Sequence, residues 1–113
     1  MATNQYKFYG TTLTTTDATT LLTPSAAGAG AVETFIIKSF RVTNNTGNTP
    51  TITITNNDFN IVNAQTLVAN ASTEILTLPL IVESSKSIKV TMSSTDSVSI
   101  GISYLNITQE VTV

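Results

Sequence analysis

The chain has 113 residues, a net charge of −2 and only 11% charged residues, against about 25% in a typical soluble protein. These totals predict one domain, residues 1–113, with a core of modest size. The 5 cationic side chains are scattered along an acidic sequence of pI 4.7. Nucleic acid and membrane surfaces are therefore not expected as partners, because both bind to clustered positive charge.

The residue types that are missing exclude most catalytic chemistry. The sequence has no His and no Cys, so it cannot build a Ser-His-Asp or Cys-His site, a disulfide framework or a zinc site of the usual kinds. Its 7 carboxylates lie almost all at predicted turns or strand ends, where solvated side chains are the rule. We interpret the chain as non-enzymatic and expect no catalytic residue, cofactor or metal ion.

The sequence shows no segment of the targeting or membrane-spanning type. Residues Met1 to Tyr6 lack the basic and apolar parts of a signal peptide. The longest apolar stretch, Ile75 to Val82, is far shorter than the roughly 20 residues that cross a bilayer. We expect a protein that is made and kept in the cytoplasm, or in a particle assembled there.

The first third of the chain predicts strands separated by a flexible loop. Thr makes up about a fifth of the chain, and this β-branched residue favours strands over helices. A short first strand is predicted at Gln5 to Tyr9, within a candidate N-terminal arm at 1–12. Thr11 to Thr20 is expected to be an extended surface segment or an edge strand, and 25–31 is expected to be a flexible loop.

The middle of the chain carries the strongest strand signals. Glu33 to Thr43 has apolar residues at both odd and even positions, which predicts a bulge or a strand with both faces partly buried. The composition of Asn44 to Asn48 predicts a turn. Thr49 to Asn56 alternates Ile with Thr, which is typical of a half-buried antiparallel strand, and the two strands are predicted to pair as a hairpin.

The last third predicts further short strands. In Thr73 to Val82, four apolar residues at alternate positions predict one buried face on a strand that is at an edge or breaks at Pro79. Ile88 to Met92 alternates in the same way. From Val98 to Tyr104 the apolar residues also alternate, and the change of parity at Leu105 predicts a second bulge. The segment 109–113 is expected to be a tail.

Together these signals predict an all-β domain. About seven to nine short strands are separated by turn signals at the spacing seen in sandwiches and barrels, and the connections are too short for helical crossovers. We expect an antiparallel β-sandwich, jelly-roll or immunoglobulin-like, with a small β-barrel as the alternative.

The order of these segments resembles a known group of proteins. It runs through Lys38 to Asn44, Thr51 to Thr55, Leu78 to Glu83, Ser87 to Val90 and Val98 to Ile107. This pattern, over residues 8 to 108, resembles small tailed-phage virion proteins, which are β-sandwich modules that decorate heads or sit on tails. It supplies no functional residues to transfer.

The resemblance implies an assembly role. The first expectation is a capsid decoration or cement protein that stabilises the phage head by binding the major capsid protein on the capsid surface. Such proteins act as symmetric homo-oligomers, and a trimer is favoured. A neck, tail or baseplate component is the structural alternative.

Flexible or apolar segments outside the central sheet pattern are predicted to make the contacts with other virion proteins. The predicted contact residues are Tyr6, Phe8, Tyr9, Ala26, Ala27, Ala29, Val111 and Val113. The aromatic residues among them also leave open a different class, a carbohydrate or host-surface binding module. Exposed aromatics lined up on one sheet would favour that class.

Overall fold

The described part of the chain consists of nine strands. The computed structural model describes residues 2–25, 31–76 and 78–110, so the predicted contacts at Ala26, Ala27, Ala29, Val111 and Val113 lie outside it. The strands are β1 (Ala2–Leu13), β2 (Thr19–Leu22), β3 (Ala31–Asn44), β4 (Thr51–Asn56), β5 (Phe59–Thr66), β6 (Ser72–Glu74), β7 (Leu80–Val82), β8 (Ile88–Met92) and β9 (Val98–Glu110).

The strands form two antiparallel sheets that pack face to face. Sheet A has the order β1-β9-β3, with β6 and β7 both pairing with the far side of β3, and sheet B has the order β2-β8-β4-β5. Along the chain the strands alternate between the sheets, except at the β4–β5 hairpin and between β6 and β7. This is the strand order of a jelly roll. The predicted β-sandwich is confirmed, and the alternative of a closed barrel is wrong.

The core lies between the two sheets. Sheet A contributes Ile37, Phe40 and Ile102, and sheet B contributes Ile52 and Val90, all with 0% exposure. Burial of each such side chain stabilises the fold by about 1.5–3 kcal/mol. Ile52 and Val90 lie at alternating positions that the sequence pattern predicted to be buried, whereas the pattern placed Ile37 and Phe40 on opposite faces of their strand.

A bulge in β3 explains the mixed parity of its apolar residues. Ile37 and Phe40 both face the core, and the pairing with β9 shifts register between Ile37 and Ser39. Lys38 is the extra residue and is exposed. The first predicted bulge is therefore confirmed.

The predicted hairpin between β3 and β4 is wrong, because the two strands belong to different sheets. Both edges of β3 are already occupied, one by β9 and the other by β6 and β7. The link crosses the sandwich at Asn44, which is 1% exposed. Its amide donates to the carbonyls of Asn48 (2.7 Å) and Val68 (3.3 Å), and its Oδ1 accepts from the backbone N–H and the hydroxyl of Thr46.

The second predicted bulge, after Tyr104, is also wrong. Strand β9 pairs with β1 without any register shift from Val98 to Gln109. Leu105 and Ile107 lie on the outer face of sheet A, while Asn106 between them is 3% exposed on the inner face. The apolar residues move from even to odd positions because the outer face of sheet A becomes apolar here, and the strand continues without a bulge.

Two other segments differ from their predicted extents. Strand β1 is longer than Gln5 to Tyr9 and pairs with β9 over its whole length, from Ala2 to Leu13. The segment Thr73 to Val82 is divided into β6 and β7, so the predicted break at Pro79 occurs. Its four apolar residues do not share one buried face, since Leu78 is 76% exposed and Val82 is buried.

Sheet A is much longer than sheet B. Strands β1, β3 and β9 have 12–14 residues, whereas those of sheet B have 4–8, and the molecule measures 53 × 22 × 20 Å. On the inner face of β1, Leu13 is buried while Lys7 and Gln5 are exposed. Residues 2–6, 31–34 and 106–110 therefore extend beyond sheet B, and we call them the overhang.

Candidate functional site

The described residues contain no assembly of acidic side chains close enough to hold a metal ion. The carboxylate of Glu33, in the overhang, is held by hydrogen bonds to both of its oxygens. It accepts from the backbone N–H of Ser25 (3.1 Å) and the amide of Asn106 (2.8 Å). Partial burial acts to raise the pKa of Glu33, but these hydrogen bonds and the charge of Lys7 outweigh burial and hold it below its ordinary value.

This Glu33 network has a structural role. The backbone N–H of Glu33 donates to the Ser25 carbonyl (3.0 Å), while its side chain accepts from the Ser25 N–H. The Ser84 hydroxyl donates to the Glu33 carbonyl (2.5 Å). These bonds join Glu33 to Ser25 and Ser84. Both carboxylate oxygens of Glu33 accept hydrogen bonds and its pKa is lowered, so it is a poor general base.

The outer face of sheet A is the surface that carries the most distinctive side chains. Its cross-strand partners form successive rows, which are set by the β1–β9–β3 register. In order along the sheet they are Thr12–Ser99–Thr43–Ser72, Gly10–Gly101–Arg41–Glu74, Phe8–Ser103–Ser39, Tyr6–Leu105–Ile36–Ile81 and Asn4–Ile107–Thr34.

The fourth of these rows is apolar across all four strands, and we call it the apolar row. Tyr6 on β1 pairs with Leu105 on β9, Leu105 with Ile36 on β3, and Ile36 with Ile81 on β7. Tyr6 is 77% exposed and Ile81 is 58% exposed. Ile107 in the next row lies beside it and is half-buried. This is a continuous apolar strip that no other part of the described chain covers.

The first three rows form a shallow groove of about 590 Å³ beside the apolar row, and we call it the hydroxyl groove. Its sides carry Ser and Thr side chains, with Phe8 at one end and Arg41 on the β3 side. Its lining residues are Phe8, Gly10, Thr11, Thr12, Ser39, Arg41, Thr43, Ser99, Ile100, Gly101 and Ser103.

The floor of the groove is a glycine pair. Gly10 and Gly101 are direct partners on β1 and β9. A Cβ atom added to either would meet the tip of the Phe8 ring, at 3.0 Å from Gly10 and 3.1 Å from Gly101. The ring tip rests over this pair, where any side chain would displace it. The ring itself is 70% exposed.

The β3 side of the groove and its border carry two cations and one carboxylate. Both oxygens of Glu74 are engaged, one with the backbone N–H of Phe40 (2.8 Å) and the other with the hydroxyl of Ser39 (2.9 Å). The guanidinium Nε of Arg41 lies 3.8 Å from Glu74, and the Arg41 side chain is 66% exposed. Lys38, in the bulge, is a second exposed cation beside Phe8.

The outer face of sheet B is different. Thr53 pairs with Thr91 and Thr55 with Lys89, so hydroxyl groups and one amine cover it where sheet A carries its apolar row. Both outer faces carry hydroxyl groups, but these pairs of sheet B have no counterpart of the apolar row.

The structure separates the predicted aromatic cluster. Tyr6 and Phe8 lie exposed on the outer face of sheet A, whereas Tyr9 points to the inner face and packs against the core. Sequence reasoning did not select Ile36, Ile81, Leu105, Arg41 or Gly101 as site residues. The parity change at Leu105 was the available signal, and we had interpreted it as a bulge.

No protein-family model matches the chain, and no curated protein matches it at a significant level. Among the described residues, no helix is long and apolar enough to cross a membrane.

Proposed function

We propose that the chain is a structural protein of a tailed-phage particle that attaches through the apolar row. The observation that supports this is the contrast between the two outer faces. Single exposed apolar residues are ordinary on a soluble protein, but a continuous strip across four strands is typical of a surface that a partner covers. The hydroxyl-covered face of sheet B is suited to remain in water.

Decoration of the head is the form of this role that the geometry favours. Four side chains bury far less than the roughly 1,000 Å² of a stable protein interface. A single copy would bind weakly, so attachment needs many copies or an oligomer on a repeating lattice, where modest contacts add up by avidity. A shell of the major capsid protein, with a trimer at each local three-fold position, offers that lattice. Jelly rolls occur in viral shells, although the fold alone does not decide function.

The copy number in purified particles tests this role. Mass spectrometry of virions from the genome that encodes the chain is expected to find hundreds of copies, since decoration follows the symmetry of the shell. About a dozen copies or fewer would favour the neck, tail or baseplate, in keeping with the lower symmetry of those parts. Absence of the chain from the particles would refute a virion role altogether.

A second experiment tests the apolar row itself. The double variant Ile36→Thr with Ile81→Thr removes apolar surface while keeping β-branched residues that suit a strand. Loss of two apolar contacts is expected to weaken attachment to particles that lack the protein by at least about tenfold. Val68→Thr is the matched control, because Val68 is 63% exposed and lies outside sheet A. Equal attachment of both variants would contradict the proposed surface.

A further inference from the structure

We propose that the hydroxyl groove is a binding site for an acidic oligosaccharide. This site is separate from the apolar row and does not depend on attachment to a particle. The groove lies beside the apolar row on the same outer face, and none of its lining residues belongs to that row.

The size and lining of the groove favour a sugar over a protein segment. Its volume of about 590 Å³ falls within the range of small-ligand sites. The centre of a protein interface is apolar and depleted of polar side chains, whereas this groove is bordered by Ser and Thr. Each such hydroxyl has one donor and two acceptor positions. Ser39 uses its donor on Glu74 and so offers acceptor positions to sugar hydroxyls.

The glycine floor and Phe8 provide the apolar part of such a site. Gly10 and Gly101 keep the floor flat and leave backbone accessible beside the ring. Phe8 is held by its contact with the glycines but remains 70% exposed. A pyranose ring has one face of C–H groups, which packs on an aromatic surface much as other apolar groups do. One held aromatic beside several hydroxyl groups matches the mixed character of a sugar.

The charges select an acidic sugar. Arg41 lines the groove on its β3 side, and Lys38 lies beside Phe8 just outside it. Glu74 accepts from Ser39 and Phe40 and lies 3.8 Å from the Nε of Arg41, so these two cations and one carboxylate leave a local excess of positive charge. The Arg41 side chain is 66% exposed despite its ion pair with Glu74, so its guanidinium can also contact a sugar carboxylate. Two cations are too few to hold a nucleic-acid backbone on a protein of net charge −2.

The experiment measures binding of the full chain to matched oligosaccharides. The acidic probes are uronic-acid tetramers, with galacturonate and mannuronate units, and the neutral probes are maltotetraose and cellotetraose. Saturable binding of an acidic tetramer that weakens with added salt is the expected result. Failure of the acidic probes to bind, or equal binding of the neutral probes, would overturn the proposal.

Variants locate the binding to the groove. Phe8→Ala and Arg41→Gln are each expected to weaken binding of the acidic tetramer by about tenfold. Phe59→Ala and Lys89→Gln are the matched controls. Phe59 is 71% exposed at the start of β5 and Lys89 lies on sheet B, so both are expected to bind like the parent chain. Unchanged binding of the Phe8 and Arg41 variants would place the sugar elsewhere and refute the site.

Gly101→Ala provides a variant that keeps every side chain of the groove. The added methyl group would meet the Phe8 ring at 3.1–3.2 Å, and the ring can swing away because it is the far end of an exposed side chain. The variant is expected to retain its fold, measured by circular dichroism, and to bind the acidic tetramer several-fold more weakly. Full binding by this variant would show that the position of the ring over the glycines is irrelevant to the ligand.

Discussion

Replacement of Asn44 by Ala tests how the chain crosses from one sheet to the other. The Asn44 side chain is 1% exposed and takes part in four hydrogen bonds, two donated to the carbonyls of Asn48 and Val68 and two accepted from Thr46. Each such bond contributes about 1 kcal/mol net, and buried partners left without a bond add to the loss. We expect Asn44→Ala to lower the free energy of unfolding by about 3–4 kcal/mol.

The assay is urea unfolding followed by circular dichroism, with the melting temperature as a second measure. A loss of this size is a large part of the roughly 5–15 kcal/mol that stabilises a domain, and it corresponds to about 10–15 °C in melting temperature. Asn45→Ala is the matched control. The amide of Asn45 bonds only to the exposed hydroxyls of Ser97 and Ser99, so a change within about 0.5 kcal/mol is expected.

Thr46→Val gives an intermediate case. It removes the hydroxyl that donates to Asn44 but keeps the backbone N–H bond, so a loss of about 1 kcal/mol is expected. If Asn44→Ala unfolds at the same urea concentration as Asn45→Ala, the reasoning that this amide holds the crossing is wrong.

Three further predictions concern other parts of the fold. The pKa of Glu33 lies below its ordinary value of 4.5, so its ionised carboxylate stabilises the fold above that pH, and this contribution is lost as pH falls through the folded pKa. Glu33→Gln should therefore flatten the fall of unfolding free energy between about pH 5 and pH 3 in acid titrations. An unchanged slope would contradict the Glu33 network. Phe40→Ala, at 0% exposure, should lower the unfolding free energy by about 3–5 kcal/mol, whereas Phe59→Ala at 71% exposure should change it by less than about 0.5 kcal/mol; similar losses for both would argue against the core assignment. Asn57 and Asp58 have φ of 52° and 63° in the β4–β5 turn, a backbone region that glycine adopts without strain and valine does not. Asp58→Gly should therefore raise the melting temperature slightly, and Asp58→Val should lower it. The reverse order would refute that turn geometry.

The sequence was sufficient to predict the class of fold because the period-two pattern reports which side chains share a face. Ile52 and Ile54 were assigned to one face, and both are 0% exposed. A bulge was one of two explanations predicted for the segment Glu33 to Thr43, because its apolar residues occupy both odd and even positions, and the structure places that bulge at Lys38. Both the alternation and the bulge depend only on residues within one segment, so the sequence pattern is enough to predict them.

The sequence was not sufficient to predict which sheet each strand joins. A turn between β3 and β4 is as compatible with a hairpin as with a crossing, and the difference lies in the strands that occupy the edges of β3 from distant parts of the chain. The pattern also does not say whether an apolar face is covered. At Leu105 the apolar residues lie on the outside of sheet A, so the same change of parity had a different cause from that at Lys38.

The candidate site was predicted only in part for the same reason. Tyr6 and Phe8 were selected as aromatics near the start of the chain, but Tyr9 belongs to the opposite face of the same strand. Arg41, Ile36 and Ile81 join Tyr6 and Phe8 only through pairing across β9, β3 and β7. Such a surface is created by the register between strands and has no signature within any one segment.

The central position of β9 has a consequence for how the protein reaches its fold. The ribosome makes β9 after β1 and β3, and yet it lies between them and pairs with both. Sheet A therefore cannot assemble until β9 has been synthesised, and the pairing joins residues that are far apart in sequence, which is the slow type of folding. Until β9 is made, β1 and β3 expose unpaired edges to neighbouring chains, so nascent copies at high local concentration depend on rapid completion of this strand to avoid aggregation.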